Sequence, residues 1–357
     1  MIALKQIAPW GVELAATGAR RALSGGRVAG YIGWTGRGNL GDDVMLAAAR
    51  ALLAPTGVEV FSGARREALL ARAGLSDQRT FAQVLLGGGT LINDGYVGIV
   101  KQALKMALTM KTLGTGVGSA GFGDANEAIT AQWRDILQRF ERVGVRGPLS
   151  AENLADIGVG HVETIGDLAL ALTPDQRAGS LQTGRFVLSA ALPPGHDNHF
   201  GAEFVATEIA RTARYLCGLG WQAVPLALNR DDIAPTRNIL RAAGLGDMAI
   251  ARPKTAEAFF ALCRGAGLVI GVRLHSAVLA CCAGVPPLTI AYRRKHHDFA
   301  ASMGLDDWML EPTTLRRNGM TERAEALTGA DGANLGATLH ERALYWRSQL
   351  RGYIGDA

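Results

Sequence analysis

Arg273 and His275 stand between an apolar run, Leu268 to Val272, and a helical pattern that begins near Ser276. A second apolar run, Leu288 to Tyr292, is followed at once by Arg293, Arg294 and Lys295. Read as parallel strands, the two runs place these side chains at neighbouring strand ends, with Arg273 and His275 also at a helix start. In open α/β sheets ligands bind at that edge, and helix starts favour anions such as phosphate. Guanidinium and ammonium groups around one imidazole suit a small phosphorylated acid and a proton transfer near neutral pH. Each residue alone has a plainer reading, the histidine as hydrogen-bonded structure and the basic triplet as a solvated loop. Their combination at adjacent strand ends points to chemistry.

Comparable strand-end loops occur upstream. After a first strand at Arg27 to Ile32 comes GWTGRGNLGDD, then a helix from about Asp43 to Leu53. Its glycines, Gly41 among them, allow close backbone approach to a ligand, but neither GK[ST] nor GxGxxG follows, so it is no standard nucleotide loop. Asn39, Asp42 and Asp43 suit gripping or deprotonating sugar hydroxyls, and Asp42 serves equally well as a helix cap. A strand at Phe81 to Leu86 runs into GGGTLINDGY, carrying Gly88, Gly89, Asn93, Asp94 and Tyr96. Arg146 ends a short strand at Arg142 to Arg146, before a helix at Pro148 to Ile157, and Asp167 lies in a turn after Glu163. His196, Asp197 and His199 crowd one polar loop, without the further anchored ligands a metal site needs. The expectation is no metal and no cofactor.

The elements that must position these residues alternate along the chain. Val58 to Phe61 reads as a strand, Lys101 to Leu113 as a helix, and Ile129 to Phe140 as an amphipathic helix. Beyond residue 180 the alternation resumes with a strand at Phe186 to Ala190, a helix at Phe204 to Leu219, a strand at Gln222 to Leu226 and a helix at Asp231 to Gly244. The pattern predicts an α/β protein with two Rossmann-like domains whose parallel sheets face a central cleft. The predicted bounds are 1–180 for a first domain with a leading helical segment, 181–325 for a second domain, and 326–357 for a helical tail that packs back.

Size and composition agree. At 357 residues the chain exceeds what one core usually supports, and 48% hydrophobic with 19% charged residues describes an ordinary packed protein. A net charge of +5 suits an anionic small substrate, and without a long Lys/Arg tract nucleic acid is not expected. The four cysteines show no CxxC spacing, and adjacent Cys281 and Cys282 read as reduced core residues on an apolar helix. No signal-peptide core or membrane-length apolar stretch appears, so a cytoplasmic protein is expected. The segment with Trp10, Arg20 and Arg21 leaves room for peripheral contact with the inner membrane face.

GNLGDD, LLGGGTLI, VGVRGPLSAENLADIGV, IGDLAL and GVRLHSAVLACCAGVPPLTIAYRRK occur in this order over roughly residues 28 to 305. In that order they resemble the polysaccharide pyruvyl transferase family. The resemblance implies an architecture like that of B-type glycosyltransferases. It also implies transfer of pyruvate from phosphoenolpyruvate, as a ketal, to hydroxyls of a cell-surface polysaccharide or its lipid-linked precursor. Arg273 and His275 match the family's donor-binding and catalytic RLH, Arg146 its second arginine and Lys295 its lysine. His275 would be the acid that protonates the donor's methylene, with Asp42, Asp43 or Asp94 orienting or deprotonating the acceptor. Asn39, Gly41, Gly88 and Gly89 would line the substrate sites. The GWTGRGNLGDD loop is longer than the family's usual one. The rival readings are a sugar-nucleotide glycosyltransferase on the same architecture and a non-catalytic sugar- or phosphate-binding module.

Overall fold

The computed structural model describes residues 28–61, 81–105, 107–117, 127–178, 184–191 and 201–355. The first half holds β1 (Val28–Ile32), α1 (Leu40–Leu52), β2 (Gly57–Val60), β3 (Phe81–Leu86), β4 (Gly89–Ile92), α2 (Asp94–Ala103), β5 (Ala107–Val117), α3 (Glu127–Leu137), β6 (Arg142–Val145), α4 (Pro148–Asp156) and β7 (Val162–Thr164). A 3₁₀ turn, Leu168–Leu172, follows. The strands form one parallel sheet in the order β2-β1-β3-β5-β6-β7, with β4 beside β5. The second half holds β8 (Arg185–Ser189), α5 (Ala202–Gly218), β9 (Gln222–Pro225), α6 (Ile233–Ala242), α7 (Ala256–Cys263), β10 (Leu268–Gly271), α8 (Leu274–Ala283), β11 (Pro287–Ile290), α9 (Arg294–Met303), β12 (Met309–Leu310), α10 (Gly319–Ala326) and α11 (Ala330–Gly355). Its five strands run parallel in the order β12-β11-β10-β8-β9.

Each sheet therefore reverses its winding beside its first strand, at β1/β3 in one and β8/β10 in the other. A crevice opens at such a switch point, outside the carboxyl ends of the strands. The loops after β1, β3 and β10 are those that the sequence marks as carrying chemistry.

Strands buried on both faces read as continuous apolar runs, and β1, β10 and β11 are buried along their whole length. Helix α8 is buried from Leu274 to Ala283 except at His275, which accounts for its lack of an apolar stripe. It ends at Gly284, whose φ of 70° is the left-handed cap conformation that glycine adopts without strain. Cys281 and Cys282 lie within this helix as free, buried thiols. One apolar core joins α1, the 3₁₀ turn, α8 and α11 across both halves. Helix α11 touches each half by hydrogen bonds as well. Trp346 Nε1 donates to Ser302 O at 3.1 Å, and Arg142 Nη1 donates to Tyr353 O at 2.7 Å.

Two expectations need correction. Lys101 to Leu113 is not one helix, since α2 ends at Ala103 and β5 starts at Ala107. The apolar spacing there fits a helix, yet the segment is the central strand that pairs with β3 on one side and β6 on the other, and sheet pairing overrides local propensity. The GGGTLI stretch is not loop throughout, because Gly89–Ile92 forms β4 alongside β5. The leading segment with Trp10, and His196, Asp197 and His199, lie outside the described residues.

Candidate active site

Between the two sheets lies a cavity of about 410 Å³. Arg146, Arg273, His275, Arg293 and Lys295 line it from the elements after β6, β10 and β11, and Trp34, Asn39, Asp42, Thr90 and Tyr96 from the stretch that runs from β1 into α1 and from β4 and α2. Both groups come from strand ends and helix starts, so the two switch points open on the same space. A second cavity of about 320 Å³ lies beyond β12, between Asp306 and Arg323. Its Arg316 and Glu322 pair with each other at the surface, and it lacks the buried charge of the cleft.

Arg146 leaves β6 and is 1% exposed, with Nε donating to Asp167 Oδ2 at 2.8 Å. Asp167 is fully buried, and its other oxygen accepts from Ala169 N at 3.0 Å, capping the 3₁₀ turn. The same Oδ1 stands 3.8 Å from His275 Nε2. Neither Arg146 Nη1 nor His275 Nε2 has a hydrogen-bond partner, although both atoms are buried. An unsatisfied buried donor costs about 1–3 kcal/mol, a cost that an incoming anion relieves. Arg273 forms a two-pronged pair with Asp232, Nε donating to Oδ2 at 2.6 Å and Nη2 to Oδ1. That pair fixes the guanidinium at the cavity wall.

Burial, with three cations nearby, moves the titrating groups away from their ordinary values. Desolvation holds His275 down to about 4, with Arg146, Lys295 and Arg273 adding repulsion and Asp167 opposing it. Lys295 falls to about 8, again through burial first and then through Arg146 and Arg293. Asp42 rises to about 6 because it is desolvated, despite the hydrogen bond from Asn39 and the attraction of Lys295. At pH 7 the free cleft holds a neutral imidazole among cations, facing a carboxylate that burial disfavours.

The raised carboxyl has a consequence for stability. A native pKa above the unfolded 3.8 means that the folded state binds more protons between 3.8 and 6, so stability falls as pH rises through that window. Asp42→Asn is expected to stabilise the protein at pH 7 by about 1–3 kcal/mol. The gain should vanish below pH 3.8, the unfolded value. Denaturant midpoints at pH 7 and pH 3.5 check this, and no gain at pH 7 would contradict the desolvation of the carboxyl.

Glycine is required at two of the named positions by close approach. A Cβ on Gly41 would lie 2.2 Å from His275 Nδ1, so α1 can start against the imidazole only without a side chain. A Cβ on Gly88 would lie 2.3 Å from Met45 Sδ, so Gly88 packs beneath the site instead of lining it. Gly89, with φ 108°, does line the cavity.

The three acidic candidates separate. Asp42 lines the cavity. Asp43 Oδ1 accepts from Gly36 N at 3.0 Å and ties down the loop after β1. Asp94 is exposed at the start of α2, accepts from Gly95 N at 2.9 Å, and is not among the cavity-lining residues. Asn39 lines the cavity and also caps α1. Sequence reasoning passed over Asp232 and gave Asp167 no role in the site. Asp167 carried a signal, since it follows a strand as Arg146 does. Asp232 reads in sequence as a helix-start residue, and it does complete a capping box with Asn229. Nothing in the chain ties it to an arginine 41 residues away.

The polysaccharide pyruvyl transferase profile matches residues 39–294, which span every one of these charged side chains except Lys295. The chain belongs to the polysaccharide pyruvyl transferase family. It is thereby placed among transferases of polysaccharide biosynthesis. No curated protein matches it by sequence. Among solved structures it is similar to Anabaena HepE in complex with UDP and glucose, at 12% identity and TM-score 0.54, covering 93% of this chain and 100% of that one. Sucrose-phosphate synthase from Thermosynechococcus elongatus aligns at 12% identity and TM-score 0.53, over 92% and 98%. The UDP-GlcNAc 2-epimerase of Neisseria meningitidis, bound to UDP-GlcNAc, aligns at 12% identity and TM-score 0.51, over 89% and 100%. These likenesses establish the α/β fold with two parallel sheets in the B-type glycosyltransferase arrangement. No helix among the described residues is long and apolar enough to cross a membrane.

Proposed function

We propose that the cleft transfers pyruvate from phosphoenolpyruvate to two hydroxyls of a saccharide, closing a ketal and releasing inorganic phosphate. The observation that carries this reading is the convergence of Arg146, Arg273 and Lys295 on His275, with a buried guanidinium nitrogen and an imidazole nitrogen both lacking partners. The donor's phosphate and carboxylate suit planar guanidinium contacts, and side-chain cations neutralise them. In the proposed sequence His275 gives a proton to the methylene carbon, which becomes the methyl group, and positive charge develops at C2. One sugar hydroxyl adds there and gives its proton to a base, for which Asp42 is the cavity-lining carboxylate. Phosphate leaves, a second hydroxyl adds to the same carbon, and its proton goes out with the phosphate. Of the two protons that leave the hydroxyls, the one taken by Asp42 replaces the one that His275 gave to carbon and the other departs on phosphate, so the sum balances.

A sugar nucleotide as donor is the competing reading, since HepE on the same fold was solved with UDP and glucose. Thermal shift separates the two. Phosphoenolpyruvate at a hundredfold over its Kd should add about 2.7 kcal/mol of stability. Arg273→Ala should lose most of that increment. The increment is read against the variant's own unliganded melting temperature, because the substitution leaves Asp232 buried without its cation. A shift with UDP- or GDP-sugars, and none with phosphoenolpyruvate, would overturn the proposal.

A further inference from the structure

The cavity is divided by chemistry. Its cations lie around His275, after β6, β10 and β11, whereas the wall contributed from β1 into α1 and from β4 into α2 presents Trp34, Asn39, Asp42, Thr90 and Tyr96. An anionic donor held by the cations leaves this second part for the other reactant. Aromatic rings beside a carboxylate, an amide and a hydroxyl match a pyranose. The C–H face of such a ring packs on an aromatic surface, while its hydroxyls need acceptors and donors at the edge.

Trp34 is the residue that stands out. It is 47% exposed, one of few large hydrophobic side chains so placed among the described residues, and it lies on the cavity wall. Indole surface left open on the wall of a polar cavity is available to a ligand. The Arg37 guanidinium stacks 3.6 Å from the ring centroid. That contact braces the indole and still leaves nearly half of the residue open. Asp43 anchors the same loop through Gly36 N, and Asn39 closes its far end by capping α1. The loop is thus held at Gly36 and at Asn39, with its tryptophan presented.

We infer that Trp34, with Tyr96 in the same part of the cavity, forms an acceptor-sugar subsite on which a pyranose ring stacks, its hydroxyl pair turned toward Asp42. The inference rests on the proposed reaction for the meaning of the word acceptor. The binding of a neutral pyranose at Trp34 is a separate physical claim. No charged group of the sugar is needed, so affinity at this subsite should be insensitive to salt, unlike that of the donor.

Saturation-transfer NMR with methyl glycosides of glucose, galactose, mannose and their N-acetyl derivatives tests it on the whole protein, with thermal shift by phosphoenolpyruvate in parallel. At least one methyl pyranoside should bind wild type, Trp34→Ala should weaken it about tenfold, and Trp34→Phe should fall between. The phosphoenolpyruvate shift should stay the same in all three proteins, which also shows that the variants fold. Binding of phosphoenolpyruvate with no methyl pyranoside bound would overturn the subsite and leave the donor reading standing. Equal pyranoside affinity in wild type and Trp34→Ala would also overturn it. Pyranoside binding lost in Trp34→Ala, with no response to phosphoenolpyruvate, would uphold the subsite and remove the proposed reaction instead.

Discussion

Exchange of His275 for glutamine is expected to lower turnover by about 10²–10⁴-fold, the usual worth of a positioned proton donor, while leaving most of the affinity for phosphoenolpyruvate. The imidazole is not ready for that task in the free protein. With its pKa near 4, charging it at pH 7 costs about 4 kcal/mol. One negative charge placed about 4 Å away at an effective dielectric of 20 returns about 4 kcal/mol. A donor carrying phosphate and carboxylate is therefore sufficient to protonate the acid that will attack it. Binding that raises a pKa takes up a proton, so this contribution makes affinity increase as pH falls from neutrality toward 4. Lys295, starting near 8, takes up its proton at higher pH and does so in the variant too. The difference in phosphoenolpyruvate affinity between wild type and His275→Gln, followed from pH 8 to pH 5, isolates the histidine. The wild type should gain on the variant as pH falls. A constant difference, or turnover retained in His275→Gln, would remove His275 from the role of acid.

The same numbers show why part of the site was legible in the chain and part was not. Arg146, Arg273, His275 and Lys295 announce themselves because each lies within a few residues of the end of an apolar strand, and a parallel sheet gathers such positions along one edge. Strand ends are a property of sequence order, so local pattern finds them. The partners that hold those groups are not local. Asp232 meets Arg273 only after α6 has joined the apolar core that β10 enters, and its position in NRDD is fully explained by helix capping. The acidic candidates were undecided for a related reason. Asp42 and Asp94 both open helices after glycine-rich loops, and only the path of the backbone turns one into the cavity and leaves the other at the surface. Helix and strand confusion fell where it does physically, at the apolar residues of β5, whose spacing satisfies a helix until β3 and β6 claim them.

Removal of the buried carboxylate by Asp167→Ala is expected to destabilise the fold by about 3–5 kcal/mol, because it strands Arg146 in an interior that exposes 1% of its side chain. A urea midpoint shift measures it, and a change within about 0.5 kcal/mol, as for an ordinary surface site, would contradict the pairing. The more instructive variant removes both charges. Replacing a buried ion pair by apolar side chains of similar size is often neutral or stabilising, so Arg146→Met with Asp167→Leu should recover most of the stability lost by Asp167→Ala. The exception is the cap on Ala169 N, worth about 1 kcal/mol, which no leucine replaces. If the double variant folds nearly as well as wild type and no longer responds to phosphoenolpyruvate, the pair is not there for stability. Asp167 then holds one cation in place and sits 3.8 Å from the imidazole whose protonated state it favours, while Arg146 keeps a nitrogen open toward the cleft. A double variant as unstable as Asp167→Ala alone would instead make the pair a structural element, and Arg146 would lose its standing as a donor contact.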